Sequence, residues 1–404
     1  MAQKSDYLSA PELVRKIEHM FGAKPLAVAS APGRMDFLNT HQDYKGLPVV
    51  PIAVNLRTYV ALLRRRSGSF KVHSLTLKES GAEYTDEFET TDLRTRGRGW
   101  FGDYLRSVIV SLQRMGIRPR SEGGEIIIDS SVPIASGLAS SAALEVAFCT
   151  FLNHYWGLQL SPPEIAEACF VAENSVMGIP CGRLDQYSAA IGGAILLYPF
   201  PPVKYESLPL VRCVFVAVDS GIRHSVKEIH PVRQREINVG LEQILEKDIP
   251  PELRVRLAKH YASVAWDQIK YGELEPILRE VEEKPAKRIA YTLLANESTS
   301  RIVEALRTGL ATLDLLAHVI NEQHELLRDL YDVSTPEMER IREAMLTNGA
   351  LGVKISGAGL GGCLIGICRD ERDAWRALEA AKAAGATRGW TLSIDKGCSL
   401  DHVA

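Results

Sequence analysis

The segment SVPIASGLASSAALEVA, residues 131–147, constrains the fold more than any other stretch of the chain. It begins at the end of EIIIDSSV, a run typical of a strand, and continues through a turn of Gly, Ser and Ala into a helical pattern. Small residues let the backbone approach a ligand, and the first amides of a helix lack intrahelical partners. The turn therefore predicts an anion site, most often for phosphate. A tight strand–helix connection is the alternative, and no G-x-x-x-x-G-K-[ST] loop occurs in the chain.

Strand and helix patterns alternate along the first half of the chain. Strand-like runs are AVASAP, VVPIAV, TYVALL, FKVHSL and EIIIDSSV, and helical spacing recurs in SAALEVAFCTFLNHYW and PPEIAEACFVAENSV. After the Pro-rich stretch 198–209 come another strand, several long helical patterns and two strands around a Gly-rich turn. We predict an α+β fold with two lobes, each placing helices against a mostly antiparallel sheet, and domains at 1–200 and 201–404.

Composition excludes several classes of function. Of 404 residues 46% are hydrophobic and 24% charged, as in soluble globular proteins, and the net charge of −3 does not indicate a nucleic-acid partner. The seven cysteines form no C-x-x-C pair, which favours reduced thiols. The sequence shows no secretory signal pattern and no apolar run long enough to span a bilayer. We expect a cytoplasmic protein.

The glycines of GAGLGG, residues 357–362, match G-x-G-x-x-G formally. A dinucleotide fingerprint requires a helix directly after the glycines, whereas CLIGIC, a predicted strand, follows here. We interpret the segment as a flexible turn that contacts a ligand from the second lobe. A plain hairpin turn is the simpler alternative.

Two further segments concentrate polar groups. In ENSVMGIPCGRLDQY, Glu173 and Asp185 lie on either side of a loop that contains Gly and Pro. If the loop brings the two carboxylates together, one could bind a metal ion and the other could act as a base or positioning group. The alternative is that they are two unrelated surface acids. In APGRMDFLNTHQDYKG, Arg34, Asp36, His41 and Asp43 lie between two predicted strands. Taken together, these features favour phosphoryl transfer. They are a turn suited to phosphate, a second Gly-rich turn, a carboxylate for a divalent ion, an Arg/Asp pair and a polar loop of a size that suits a sugar.

At these residues the chain resembles the GHMP small-molecule kinases, in their galactokinase branch. APGRMDFLNTHQDYKG resembles the galactokinase signature, and PIASGLASSAALEVA resembles the phosphate-binding motif of the family. AENSVMGIPCGRLDQ resembles the galactokinase run A-E-H-x-x-x-G-x-P-C-G-x-x-D-Q. HPVRQRE and KISGAGLGGC resemble later segments, in the same order. The resemblance implies a two-lobed fold, with an N-terminal lobe like ribosomal protein S5 and a ferredoxin-like C-terminal lobe, and a sugar 1-kinase that uses ATP and Mg²⁺.

The resemblance also assigns roles to residues of this chain. Asp185 would face the anomeric hydroxyl as base or orienter, with Arg34 beside it to stabilise the transferring phosphoryl group, and Glu173 and Ser141 would hold Mg²⁺. Sugar contacts would come from Arg34, Thr40, His41, Asp43, Gly182, Asp185 and His230. The nucleotide would contact Trp100, Tyr104, Ile134, Ala135, Gly137, Ala139, Ser140, Ser141, Gly357 and Gly359.

Three positions depart from the galactokinase pattern. Thr40 replaces the Glu that holds the C6 hydroxyl, His230 replaces a Tyr, and Asp36 replaces an Asn and has no assigned role. Loss of a carboxylate and gain of an imidazole favour a sugar with a C6 carboxylate, so we expect galacturonate ahead of galactose. A looser pocket that accepts galactose or a sugar without C6 is the alternative.

Two other functional interpretations remain. The chain could be a galactokinase-like sensor that binds sugar and ATP without catalysis, although its phosphate turn and its Arg/Asp pair are complete. A mevalonate or homoserine kinase is disfavoured by the His-Gln-Asp-Tyr loop, since those substrates need no cluster of hydroxyl-binding groups. We expect a monomer or homodimer without nucleic-acid or membrane partners.

Overall fold

A computed structural model describes residues 7–97, 99–223 and 226–404. Its larger sheet has six strands in the order β12-β1-β2-β5-β3-β4, antiparallel throughout except for the parallel pair β3 and β5. These strands are β1 (Ala27–Leu38), β2 (Val50–Ser67), β3 (Ser69–Ser74), β4 (Thr85–Glu89), β5 (Glu122–Ser130) and β12 (Ser399–Val403).

A second sheet, of four antiparallel strands in the order β11-β8-β10-β9, forms the core of the other lobe, and β6 and β7 form a small hairpin. The strands are β6 (Ile195–Tyr198), β7 (Lys204–Ser207), β8 (Val214–Asp219), β9 (Ala350–Ser356), β10 (Cys363–Cys368) and β11 (Arg388–Leu392).

Helices cover both sheets. They are α1 (Ala10–Phe21), α2 (Leu75–Glu79), α3 (Phe101–Arg114), α4 (Ser140–Tyr155), α5 (Pro162–Val171), α6 (Leu184–Ile191), α7 (Val226–Leu245), α8 (Pro251–Arg254), α9 (Tyr271–Leu278), α10 (Glu283–Arg307), α11 (Leu313–Asp329), α12 (Pro336–Thr347) and α13 (Glu371–Ala383). Within the described ranges, none of these helices is long and apolar enough to cross a membrane.

Two elements at the centre of the molecule position the site. All twelve residues of β1 are buried, and α4 packs against β1, β2 and three neighbouring helices, so it is buried on most of its surface. One apolar cluster joins the two sheets: the ring of Phe37 in β1 meets that of Phe215 in β8 edge-on, with 5.7 Å between centroids. The lobes therefore share a core along the line where β1 ends.

The observed elements confirm the α+β class and refine the predicted segments. VVPIAV and TYVALL form one continuous strand, β2, and the pattern PPEIAEACFVAENSV splits into α5 and a π turn over Ala172–Val176. The strand β10 follows the GAGLGG turn directly, as predicted. The C-terminal strand β12 pairs with β1, so the end of the chain completes the first sheet, and the division at residue 200 stays a prediction.

Candidate active site

A cleft of about 390 Å³ lies where the two lobes meet. Its walls come from the end of β1 and the loop after it, the turn before α4, the loop before α6, α7, and the Gly-rich turn between β9 and β10. The residues that line it include most of the predicted site: Arg34, His41, Asp43, Tyr104, Ile134, Ala135, Gly137, Ala139, Ser140, Ser141, Glu173, Gly182, Asp185, His230, Gly357 and Gly359.

Arg34 and Asp185 form an ion pair at the middle of this cleft. Nε and Nη2 of Arg34 each lie 2.7 Å from Oδ1 of Asp185, and Nη1 donates a hydrogen bond to the carbonyl of Gly137 at 2.5 Å. The Arg34 side chain is 6% exposed, whereas the Asp185 side chain keeps 28% of its surface accessible. The arginine is thus fixed in place while the carboxylate remains open to a ligand.

The turn before α4 has the backbone geometry of an anion cradle. Ala135, Gly137 and Ala139 have positive φ angles of 54°, 85° and 59°, and α4 begins at Ser140 with its first amides at the cleft. A Cβ atom at Gly137 would lie 2.5 Å from the carbonyl oxygen of Ser356 and therefore clash with the second lobe. The Gly-rich turn of the second lobe, residues 357–362, thus packs directly on the turn before α4 of the first lobe, and both turns border the cleft.

Ser141 and Glu173 supply oxygen donors beside that turn. Burial and the charge of Asp185 raise the pKa of Glu173 to about 7, and Nε2 of Gln186 donates a hydrogen bond to its Oε2 at 2.6 Å. Within the described ranges, no group of three or more His, Cys, Asp or Glu side chains could hold a metal by itself. A buried carboxylate next to a hydroxyl fits Mg²⁺, which takes few protein ligands and completes its octahedron with water and phosphate oxygens.

A second cavity, of about 400 Å³, adjoins the cleft through the shared residues Tyr104, Ile134, Ser140 and Ser141. Its other walls are mostly apolar and include Leu77, Trp100, Phe101, Ile128 and Leu144. Trp100 is held by a hydrogen bond from its Nε1 to Asp86 at 2.8 Å. The apolar cavity and the anion cradle together suit a nucleotide, with the base in the former and the phosphates in the latter.

The opposite end of the cleft is polar. Nε2 of His41 lies 3.1 Å from the carbonyl of Ala358, and the rings of His41 and His230 meet edge-on at 5.0 Å. Burial lowers the pKa of both histidines, so both are uncharged at neutral pH. Burial and the charges of Asp36 and Asp185 raise the pKa of Asp43 to about 7. A Cβ at Gly182 would lie 1.8 Å from Oδ2 of Asp43, so a larger residue at this position would have to displace the Asp43 side chain.

The side chain of Thr40 does not line the cleft, where the sequence analysis expects a contact with the sugar. It is 1% exposed and is not among the residues that line the cleft. Its hydroxyl accepts a hydrogen bond at 2.7 Å from Nζ of Lys354, a buried residue of β9. The structure thus places the Thr40 side chain in the interior and away from the cleft lining, and a direct contact between Thr40 and a sugar stays a prediction.

Several residues of the site lie inside the quoted motifs but were given no role by sequence reasoning. Lys354 and Ser356 reach the cleft region from the second lobe, and Gln186 supports Glu173. Glu145 lies one helical turn after Ser141, is fully buried and has no hydrogen-bond partner for either carboxyl oxygen among the described residues. The spacing of Glu145 from Ser141 on one face of a predicted helix is a signal that could have identified it.

Comparisons with known proteins agree with this geometry. Family models match residues 17–64 (galactokinase galactose-binding signature), 103–193 (GHMP kinases N terminal domain) and 302–387 (GHMP kinases C terminal). The chain is 31% identical to a galactokinase of Chloroflexus aggregans over 88% of this chain and 87% of that protein. It is 29% identical to a galactokinase of Homo sapiens over 93% and 90% of the two chains.

Solved structures show the same fold. Lactococcus lactis galactokinase complexed with galactose matches with a TM-score of 0.82 at 23% identity, covering 96% of this chain and 99% of that one. The mevalonate kinase of L. major matches less closely, with a TM-score of 0.63 at 18% identity over 93% and 99% of the two chains. With a relative above 30% identity along most of both chains, and all three motif-bearing regions matched, this protein is a kinase that belongs to the galactokinase family of the GHMP kinases.

Proposed function

We propose that this kinase transfers the γ-phosphoryl group of ATP to the anomeric hydroxyl of a galacto-configured sugar, giving the sugar 1-phosphate and ADP. The observation that carries the proposal is the position of the Arg34–Asp185 pair between the phosphate turn and the polar end of the cleft. A nucleotide on one side and a sugar hydroxyl on the other would meet at this pair.

Asp185 is the group that accepts the proton or orients the attacking hydroxyl. Its carboxylate is partly exposed in the cleft, and Arg34 fixes its orientation through two nitrogen atoms. Arg34 also donates to the carbonyl of Gly137, so it lies beside the phosphate turn and stabilises negative charge on the transferring group.

The first amides of α4 and the turn from Gly137 to Ser141 bind the phosphates. Ser141 and Glu173 would hold Mg²⁺, which supplies charge neutralisation of the phosphate oxygens when bound. The apolar cavity beside Trp100 and Tyr104 would take the adenine.

We infer galactose as the substrate in preference to galacturonate, although the sequence alone favoured galacturonate and the comparisons do not distinguish the two sugars. Thr40 is turned away from the cleft, and the buried His230 is uncharged at neutral pH, so neither offers a positive charge to a carboxylate. Three carboxyl groups, those of Asp36, Asp43 and Asp185, line the same cleft. Arg34 offsets the charge of Asp185, so a C6 carboxylate would meet repulsion from Asp36 or Asp43 where these groups are ionised.

The test is ADP release with purified protein, ATP and Mg²⁺, using galactose and galacturonate in parallel, with ³¹P NMR to locate the phosphate on C1. We expect turnover of galactose and weak or no turnover of galacturonate. Asp185→Ala is the negative control. Sugar-dependent binding without ADP release from any sugar would indicate a sensor and would contradict the proposal.

A further inference from the structure

A buried charge cluster lies between β4 and α3, next to the apolar cavity, and the proposed mechanism does not use it. Asp86 of β4 and Asp103 and Arg106 of α3 are each at most 5% exposed. Arg106 donates hydrogen bonds to both carboxyl oxygens of Asp86, and its Nη1 lies 3.4 Å from Oδ1 of Asp103. Two carboxylates thus face one guanidinium. Because buried charges need partners of opposite sign, the cluster requires a second cation.

Arg96 is the cation that completes this cluster. The backbone amides of Arg96 and Gly97 donate to Oδ1 and Oδ2 of Asp103, both at 2.9 Å. Nη1 of Arg96 lies 3.3 Å from Oδ1 of Asp86, and Nη2 lies 3.7 Å from Oε1 of Glu83. The Arg96 side chain is 49% exposed, so these ionic contacts contribute little stability by themselves. The position of the residue is nevertheless fixed at both ends, at its backbone and at its guanidinium.

The guanidinium of Arg96 lies over the indole ring of Trp100. Its Cζ is 4.1 Å from the ring centroid, which is within the range of a cation–π contact. The edge of the same ring is held as well, because Nε1 of Trp100 donates to Oδ2 of Asp86 at 2.8 Å. One carboxylate, that of Asp86, therefore holds both the cation and the indole beneath it.

The same indole lines the apolar cavity, together with Leu77, Ile128 and Leu144. Its orientation is set by the contacts on one face and one edge, which exist without a ligand. A wall that is already ordered loses less conformational entropy when a ligand packs against it. A flat aromatic group such as a nucleobase gains most from such a wall, since aromatic rings pack in preferred relative orientations.

We propose that Arg96 and Asp86 are positioning residues for the nucleotide, which hold the Trp100 indole as a fixed wall for the base of ATP. This inference rests on the proposed function, in which the apolar cavity takes the adenine. Neither Arg96 nor Asp86 lines the cleft or the cavity, so both act through the indole and not on the reacting groups. Their loss should consequently weaken nucleotide binding and leave sugar binding and kcat unchanged.

The experiment measures kcat and the KM values for ATP and galactose in Arg96→Met, which removes the charge and keeps an extended side chain. KM for ATP should rise ~3- to 10-fold, as for the loss of a cation–π contact, with KM for galactose and kcat unchanged. Arg96→Lys keeps a cation over the ring and should restore most of the ATP affinity. Arg94→Met is the matched control, because Arg94 lies in the same loop, pairs with Asp92 and has a side chain that is 87% exposed.

A double-mutant cycle separates positioning from a merely structural role. Calorimetric titration with a non-hydrolysable ATP analogue gives Kd for Arg96→Met, for Trp100→Ala and for the double variant, and thermal melting reports their stability. If Arg96 acts through Trp100, its substitution should weaken binding in the wild-type background and add little to Trp100→Ala. Asp86→Asn should also raise KM for ATP, and it should lower the melting temperature because Arg106 loses its charged partner.

Two results would overturn the inference and leave the kinase activity intact. The first is an unchanged nucleotide affinity of Arg96→Met, or an equal loss of affinity in the wild-type and Trp100→Ala backgrounds. The second is a parallel loss of galactose affinity in Arg96→Met, which would indicate a general structural defect. If the wild type neither binds the ATP analogue nor releases ADP with any sugar, the proposed function fails, and this inference fails with it.

Discussion

Nε and Nη2 of Arg34 meet Oδ1 of Asp185 at 2.7 Å, although 151 positions separate the two residues in the chain. Arg34 lies within β1, all of whose residues are buried, and Asp185 lies in the first turn of α6. The ion pair connects β1 to α6 beside the turn that precedes α4. One guanidinium thus contacts the proposed base and the phosphate turn at the same time.

Asp185→Asn should lower kcat by ~10²–10⁴-fold, because an amide of the same shape can neither accept the proton nor carry the charge that orients Arg34. KM for the sugar should change little, and the melting temperature should stay close to that of the wild type. A coupled ADP-release assay with thermal melting measures both. Retention of more than about a tenth of the wild-type kcat would contradict the assignment of Asp185.

Trp100→Ala should raise KM for ATP and leave KM for the sugar unchanged, since Trp100 lines the apolar cavity and does not line the cleft. The loss of an aromatic wall is expected to cost about 1–3 kcal/mol of nucleotide binding, or roughly 5- to 150-fold. Trp375→Ala is the matched control, because Trp375 is a 63% exposed tryptophan on α13. Equal effects of the two substitutions on ATP binding would argue against a nucleotide in this cavity.

Gly137→Ala should abolish activity and destabilise the protein. The residue has φ of +85°, and an added Cβ would lie 2.5 Å from the carbonyl of Ser356 in the other lobe. Gly157→Ala is the control, with φ of +64° and open space around the added atom. The control should lose about 1–2 kcal/mol of stability from backbone strain alone, with activity retained. If both variants unfold at the same denaturant concentration and retain activity, the contact between the two turns is unimportant.

The stability contributed by Asp43 should fall as the pH rises. Its pKa is raised from 3.8 to about 7 by burial and by the charges of Asp36 and Asp185, so the folded state holds this proton more tightly than the unfolded chain. The contribution is then fully present below the unfolded pKa and is lost as the pH rises through about 7. Melting curves of the wild type and of Asp43→Asn, recorded without ligands, should show the wild type losing several degrees relative to the variant across this range. A difference that does not vary with pH would refute the raised pKa.

Chelation of divalent ions should stop ADP formation, and Glu173→Gln should raise the Mg²⁺ concentration needed for half-maximal activity by ~10- to 100-fold. Glu167→Gln is a matched control, because Glu167 pairs with Arg183 on the outside of the same helical region. Magnesium-dependent binding of a fluorescent nucleotide gives a second readout that does not require turnover. A Glu173→Gln protein with an unchanged magnesium requirement would exclude this residue as a ligand.

The order of the motifs predicted much of the site because each motif encodes its own local geometry. The small residues of SGLASSA allow a turn that ends at a helix N-terminus, and the strand after GAGLGG excludes a dinucleotide fold from the sequence alone. The sequence analysis accordingly names several candidate site residues that all line one cleft in the structure. They are Arg34, Glu173, Asp185 and the glycines of both turns.

Other features depend on contacts between distant parts of the chain. The residues Lys354 and Thr40 are 314 positions apart, and their hydrogen bond exists only because the second lobe packs against the end of β1. That contact turns the Thr40 side chain into the interior, whereas the Asp36 side chain lines the cleft, and neither placement could be read from the sequence. Burial likewise makes His230 neutral, a property that residue type and spacing do not contain.

The sequence by itself determined the fold class, the family pattern and the chemical groups available for phosphoryl transfer, because these follow from local periodicity and from short motifs. Only the tertiary structure decided which polar side chains face the ligand and which are used to satisfy the interior. The physical reason is that orientation, desolvation and charge pairing at a cleft between two lobes are set by long-range packing. A residue such as Thr40 or Asp36 acquires its role from its neighbours in space.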